Sequence, residues 1–142
     1  MKVTIESAIE AAVLLYEVER EQIIGDNSDR PVVEARAQIS AICYANGIKQ
    51  KDIAKELNKT SPSVGHYRIL HSNLMETSQE YRDKRSEYLW KFIDTLGLQN
   101  QRDWEEFYHH LVQLRESHPN DLEFFYEIFL LVKSEEDNKF AE

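Results

Sequence analysis

The fold is decided by the stretch Gln50-Lys51-Asp52-Ile53-Ala54-Lys55-Glu56-Leu57-Asn58-Lys59-Thr60-Ser61-Pro62-Ser63-Val64-Gly65-His66-Tyr67. Its residue types meet the demands of two short helices packed at about 90–120° across a tight turn. Ile53 and Leu57 place apolar side chains one turn apart on the first helix. Ala54 is small where the second helix must cross. Asn58 stands where the turn needs a positive φ, which asparagine tolerates second only to glycine. Val64 and Tyr67, three residues apart, point back at the first helix. The spacing predicts a helix over 50–57, a turn at Asn58-Lys59-Thr60, and a helix from Ser61 or Pro62 to about Met75.

The opposite face of the second helix carries Pro62, Gly65, His66 and Ile69, with Ser61 and Ser63 near its start. Small polar residues at a helix N-terminus suit close approach to phosphates and base edges. Lys49, Lys51, Lys55, Lys59 and Arg68 surround the unit and supply cations for phosphates. The plainer reading is a packing element, because this spacing also arises in all-α proteins that touch no nucleic acid.

The flanking sequence is helical in period almost throughout. Ile5, Ala8, Ile9, Ala12, Val13 and Tyr16 predict an amphipathic helix over 4–16, with Thr4 as N-cap or a capping box from Ser7 to Glu10. Val18 to Ile24 reads as a short helix stopped by Gly25, and Asp26-Asn27-Ser28-Asp29 as a polar loop. Pro31 suits a first helical position. The helix after it carries Val32, Ala35, Ile39, Ile42 and Cys43 on one face and ends near Asn46-Gly47. Beyond the central stretch, helices are expected over roughly 78–96 and 102–117. His118-Pro119 breaks the chain, and Asn120 caps a last helix before a charged end over 134–142.

The chain has 142 residues, 42% of them apolar and 30% charged. That is enough apolar surface for one core. Four glycines and three prolines are too few for an all-β sandwich. No apolar run reaches 18 residues, so no membrane span is expected. Glu6 falls where a secretory leader would be apolar, so none is expected. One cysteine forms no internal disulfide, which fits a reducing cytoplasm. The net charge of −9 is unevenly spread. Residues 1–29 carry −5, residues 30–91 carry +4 and residues 92–142 carry −8. A basic middle between acidic ends is an asymmetry found at nucleic-acid sites and interaction tails.

Outward from the central stretch, the chain resembles the C-terminal DNA-binding domain of the bacterial replication initiator DnaA. The resemblance rests on Ile5-Glu6-Ser7-Ala8-Ile9-Glu10-Ala11-Ala12 with Tyr16-Glu17-Val18, on Glu21-Gln22-Ile23-Ile24-Gly25, on Val32-Val33-Glu34-Ala35-Arg36, on Asp52-Ile53-Ala54-Lys55-Glu56-Leu57 and on Val64-Gly65-His66. Order and spacing agree over about residues 4–75. The resemblance implies an all-α fold with a Trp-repressor-like helix-turn-helix, the second helix in the major groove and a preceding basic loop on the backbone. The chain departs from the family in three places. Before the shared valine the family has Arg-Asp-His-Thr-Thr, and this chain has Lys59-Thr60-Ser61-Pro62-Ser63, so the family's base preference does not transfer. The family's basic loop is here Asp26-Asn27-Ser28-Asp29, which leaves only Arg30. No Gly-x-x-x-x-Gly-Lys-Ser/Thr loop is present, so there is no ATPase module.

Residues 77–142 lie outside the resemblance. They are acidic and aromatic, with Tyr81, Tyr88, Trp90, Phe92, Trp104, Phe107, Tyr108, Phe124, Phe125, Tyr126 and Phe129. Three readings compete for them: the core of a three-helix bundle, a homodimer interface that gives two half-sites, and an acidic cover over the basic middle. Catalysis finds no support. His109 and His110 point about 100° apart and cannot share a metal. His66 and His71 are five apart and equally unsuited. Cys43 lies on an apolar face with no histidine placed near it.

The expectation is therefore an all-α, cytoplasmic, non-enzymatic protein without cofactor or metal. Residues 1–76 form a DnaA C-terminal-like helix-turn-helix domain, and residues 77–142 a three-helix acidic extension for a dimer or protein partner. Its partner is double-stranded DNA, held by Lys49, Lys51, Lys55, Lys59, Thr60, Ser61, Pro62, Ser63, His66 and Arg68. The competing expectation is a protein-interaction module that kept the fold and lost its DNA.

Overall fold

The computed structural model describes residues 4–117. The expected break at His118-Pro119, the last helix and its aromatic cluster, and the charged end lie outside the described residues. Within them there are seven helices and no strand: α1 (Ile5–Tyr16), α2 (Arg20–Ile24), α3 (Arg30–Ala45), α4 (Gln50–Leu57), α5 (Ser61–Thr77), α6 (Gln79–Thr95) and α7 (Gln101–Ser117).

Local chemistry sets most of the helix ends. Thr4 caps α1 by accepting a hydrogen bond from the Ser7 N–H at 3.1 Å, so the alternative box from Ser7 is not the one used. Gln22 reaches back to the Glu19 N–H at 2.9 Å and fixes the start of α2. Asn46 stops α3, its amide donating to the Ile42 carbonyl at 2.7 Å, and Gly47 turns the chain at φ 84°. Ser78 both ends α5 and caps α6, accepting from the Tyr81 N–H at 3.1 Å. α5 thus runs two residues past the expected stop at Met75. Arg82 satisfies the freed Met75 carbonyl at 2.8 Å.

α3 is the hub, with α1, α2, α4 and α5 packed around it. It is buried on nearly every side, and Ala35, Ala37, Ser40 and Ala45 keep it thin enough for neighbours to approach. α1 lies between α3 and α6. α6 presents Tyr88, Leu89, Phe92 and Ile93 to that layer, and the Tyr88 hydroxyl donates to the Ala8 carbonyl at 2.8 Å. Trp104, Phe107 and Leu111 of α7 join the same buried cluster as Ile9, Ile39 and Leu57. The core therefore runs without interruption across residues 76 and 77, where the sequence places a boundary between domain and extension.

Candidate nucleic-acid interface

α4 and α5 meet across residues 58–60. Ile53, Ala54, Leu57 and Val64 are buried between these helices and α3, while Tyr67 is half-buried. Asn58 adopts φ 55°, ψ 45°, the left-handed conformation that its position in the sequence predicts. The Lys59 N–H then donates to the Ala54 carbonyl at 2.9 Å, closing the C-terminus of α4. Thr60 caps α5 by accepting from the Ser63 N–H at 3.3 Å, and the Thr60 and Ser63 hydroxyls lie 2.9 Å apart.

One polar side chain ties the two helix starts together. The Gln50 amide donates to the Ser61 carbonyl at 2.8 Å, and its oxygen accepts from Arg68 at 3.1 Å. Gly65 makes room for it, since a Cβ at residue 65 would lie 3.3 Å from the Gln50 amide nitrogen. The sequence places Gly65 on the face opposite the packing side, but the structure sets it half-buried against Gln50, because α4 starts beside it. What marks them is the pairing of a glutamine at the start of one helix with a glycine inside the next.

The five expected cations divide into two groups. Lys49, Lys51 and Lys55 are exposed, and Lys49 sits at the N-terminus of α4, where no side chain caps the helix. Lys51 and Lys55 form one stripe at i, i+4, and Asp52 and Glu56 form an acidic stripe next to it. Lys59 and Arg68 turn inward instead. The Lys59 ammonium donates to the Gly25 carbonyl at 2.6 Å. Partial burial, with Arg36 nearby, holds its pKa below the usual lysine value, against the pull of Asp26. The Arg68 guanidinium lies 3.3 Å from the centre of the Tyr44 ring.

A buried cation that the sequence does not single out completes the seam. The Arg36 guanidinium donates to the carbonyls of Ile23 at 2.8 Å, Gln22 at 2.8 Å and Gly25 at 2.9 Å. Asn58 adds a bond to the Ile24 carbonyl at 3.3 Å. Arg36, Asn58 and Lys59 together serve the carbonyl end of α2, where the helix dipole favours positive charge. They also lock the α4–α5 turn onto it. Arg36 lies between Glu34 and Gln38 on α3, so its residue type does not separate it from its polar neighbours.

The remaining expected contacts lie along α5. Pro62 and His66 are exposed, Ser61 and Ser63 are half-buried, and Thr60 is exposed beside its cap. Ile69 follows on the same face and is 59% exposed. Further along, the helix turns inward at His71, whose Nδ1 lies 2.6 Å from the Tyr81 hydroxyl. The acidic loop keeps its own partners: Asn27 accepts from the Asp29 N–H at 2.8 Å, and Arg30 pairs with Glu34 at 2.7 Å.

Burial pushes the Cys43 thiol up, out of the reactive range. Among the described residues no group of three His, Cys, Asp or Glu side chains is placed to hold a metal, and no helix is long and apolar enough to cross a membrane. No family model, no curated protein and no solved structure matches the chain.

Proposed function

We propose that the chain binds double-stranded DNA without catalysing a reaction, using α4 and α5 as a helix-turn-helix of the DnaA C-terminal kind. The observation that carries this reading is the exposed face of α5 at Pro62, His66 and Ile69, beside the uncapped N-terminus of α4 and its outward lysines. The first half of α5 enters the major groove. Lys49, Lys51 and Lys55 meet phosphates, and the open end of α4 adds its partial positive charge. Thr60, Ser61, Ser63 and His66 supply hydroxyl and imidazole groups near base edges. Lys59 and Arg68 act from behind and hold the turn and the helix in register.

The test is fluorescence anisotropy of a labelled random duplex across a salt series. A log–log slope of about −3 corresponds to three phosphate contacts. A chain with lysines 51 and 55 both changed to glutamate should lose that binding at unchanged helicity. The rival reading, a protein-interaction module, draws support from the inward turn of Lys59 and Arg68, which leaves fewer outward cations than the sequence suggests. Absence of duplex binding at low salt would leave that rival standing.

A further inference from the structure

Leu14 and Ile69 are the large apolar side chains that stand exposed among the described residues, at 56% and 59%. Leu14 lies on α1. Ile69 lies on α5, in line with the residues proposed to face the groove. A helix lying along the major groove presents its reading side chains at i, i+3, i+4 and i+7. Counted from Pro62, those positions are Gly65, His66 and Ile69. Pro62, His66, Ile69, Asn73 and Glu76 make one exposed stripe down the helix. Glu76 at its far end repels phosphate, so the usable length ends near Asn73.

The position of this apolar side chain narrows what it can meet. Isoleucine offers no donor or acceptor, so it reads neither phosphates nor the polar edges of bases. The major groove displays one apolar group, the 5-methyl of thymine. Cations stand on the neighbouring helix: Lys51 and Lys55 are exposed on α4, whose first residue Gln50 bonds to Ser61 and packs against Gly65. A polyanion with a methyl group at groove depth satisfies both features.

We infer that Ile69 is a specificity-determining residue that selects thymine by contact with its 5-methyl group, at a position one helical turn along α5 from the base that His66 faces. This rests on the duplex-binding reading above, and the experiment separates the two. The full chain is used to select sites from a randomised duplex library. Each thymine in the recovered site is then replaced singly by deoxyuridine, which removes only the methyl. At one position the wild-type chain should bind about fourfold more weakly, the effect of one buried methyl. I69A should bind the thymidine and deoxyuridine duplexes alike, with unchanged helicity because the side chain is exposed.

Wild-type binding indifferent to every deoxyuridine substitution would overturn the inference and leave DNA binding intact. So would an I69A chain that keeps the wild-type preference, or a recovered pool with no fixed thymine. If no duplex is retained even at low salt, the duplex-binding reading itself fails, and the thymine contact with it.

Discussion

Two groups of cations surround the α4–α5 unit, and they face opposite ways. On the inner side Arg36 and Lys59 donate to the carbonyls at the end of α2, and Arg68 packs on Tyr44. On the outer side Lys49, Lys51 and Lys55 extend into solvent. The inner cations replace water around backbone carbonyls, so their loss registers as stability. Within the described residues no hydrogen bond or ion pair holds the outer cations, so their loss should leave stability unchanged and, on the duplex-binding proposal, register as affinity for DNA. A residue's charge is read from its code, but its job follows from what lies opposite it.

The comparison breaks most visibly at Arg36. Arg36→Met removes three carbonyl bonds from a buried site and should cost about 3 kcal/mol or more, read as a shift in urea midpoint. A loss under about 1 kcal/mol would mean that the α2 end does not depend on it. Gly25 probes the same seam from the other side. A Cβ there would lie 2.7 Å from the Glu21 carbonyl oxygen, a backbone atom that cannot step aside. Gly25→Ala should therefore lower stability by about 2 kcal/mol in thermal or chemical unfolding.

The back half of α5 sharpens the contrast by pH. Burial, with Arg85 nearby, pushes the His71 imidazole down to about 3. Unfolded, it takes up a proton near 6.5. The folded state is thus fully favoured above pH 6.5 and loses stability as pH falls from there toward 3, by about 2 kcal/mol at pH 5. His71→Gln keeps a hydrogen-bonding group for Tyr81 and should remove that share of the difference between pH 7 and pH 5.

The two smallest effects form a pair. Lys59→Met should cost about 1 kcal/mol of stability while leaving the salt slope of duplex binding unchanged. Lys51→Ala should do the reverse, with stability within about 0.5 kcal/mol of wild type and a slope shallower by about 0.9. If Lys59→Met flattened the slope as Lys51→Ala does, the division into inner and outer cations would collapse.

Much of the local structure was legible. The apolar period marked the helices, Asn58 marked a left-handed turn that the structure holds at φ 55°, and Thr4 fell at a cap. The end of α5 was placed too early because Thr77 carries no stop signal of its own. What halts the helix is the cap at Ser78 together with Arg82, which reaches back from α6. In the candidate site, the exposure of Pro62 and His66 followed from helical phase. The inward turn of Lys59 and Arg68 did not, because their partners Gly25 and Tyr44 belong to other elements.

By itself the amino-acid order determined where most helices begin, which face is apolar and where the chain bends backwards, although α2 starts at Arg20 and not at the expected Val18. Those properties depend on neighbours within about four residues, and such neighbours are always present. Only the packed molecule decided that Arg36 and Lys59 face the carbonyl end of α2 and that α6 and α7 share the core of α1. A carbonyl 34 residues upstream of Lys59 comes within 2.6 Å only after α3 has brought α2 and α4 together.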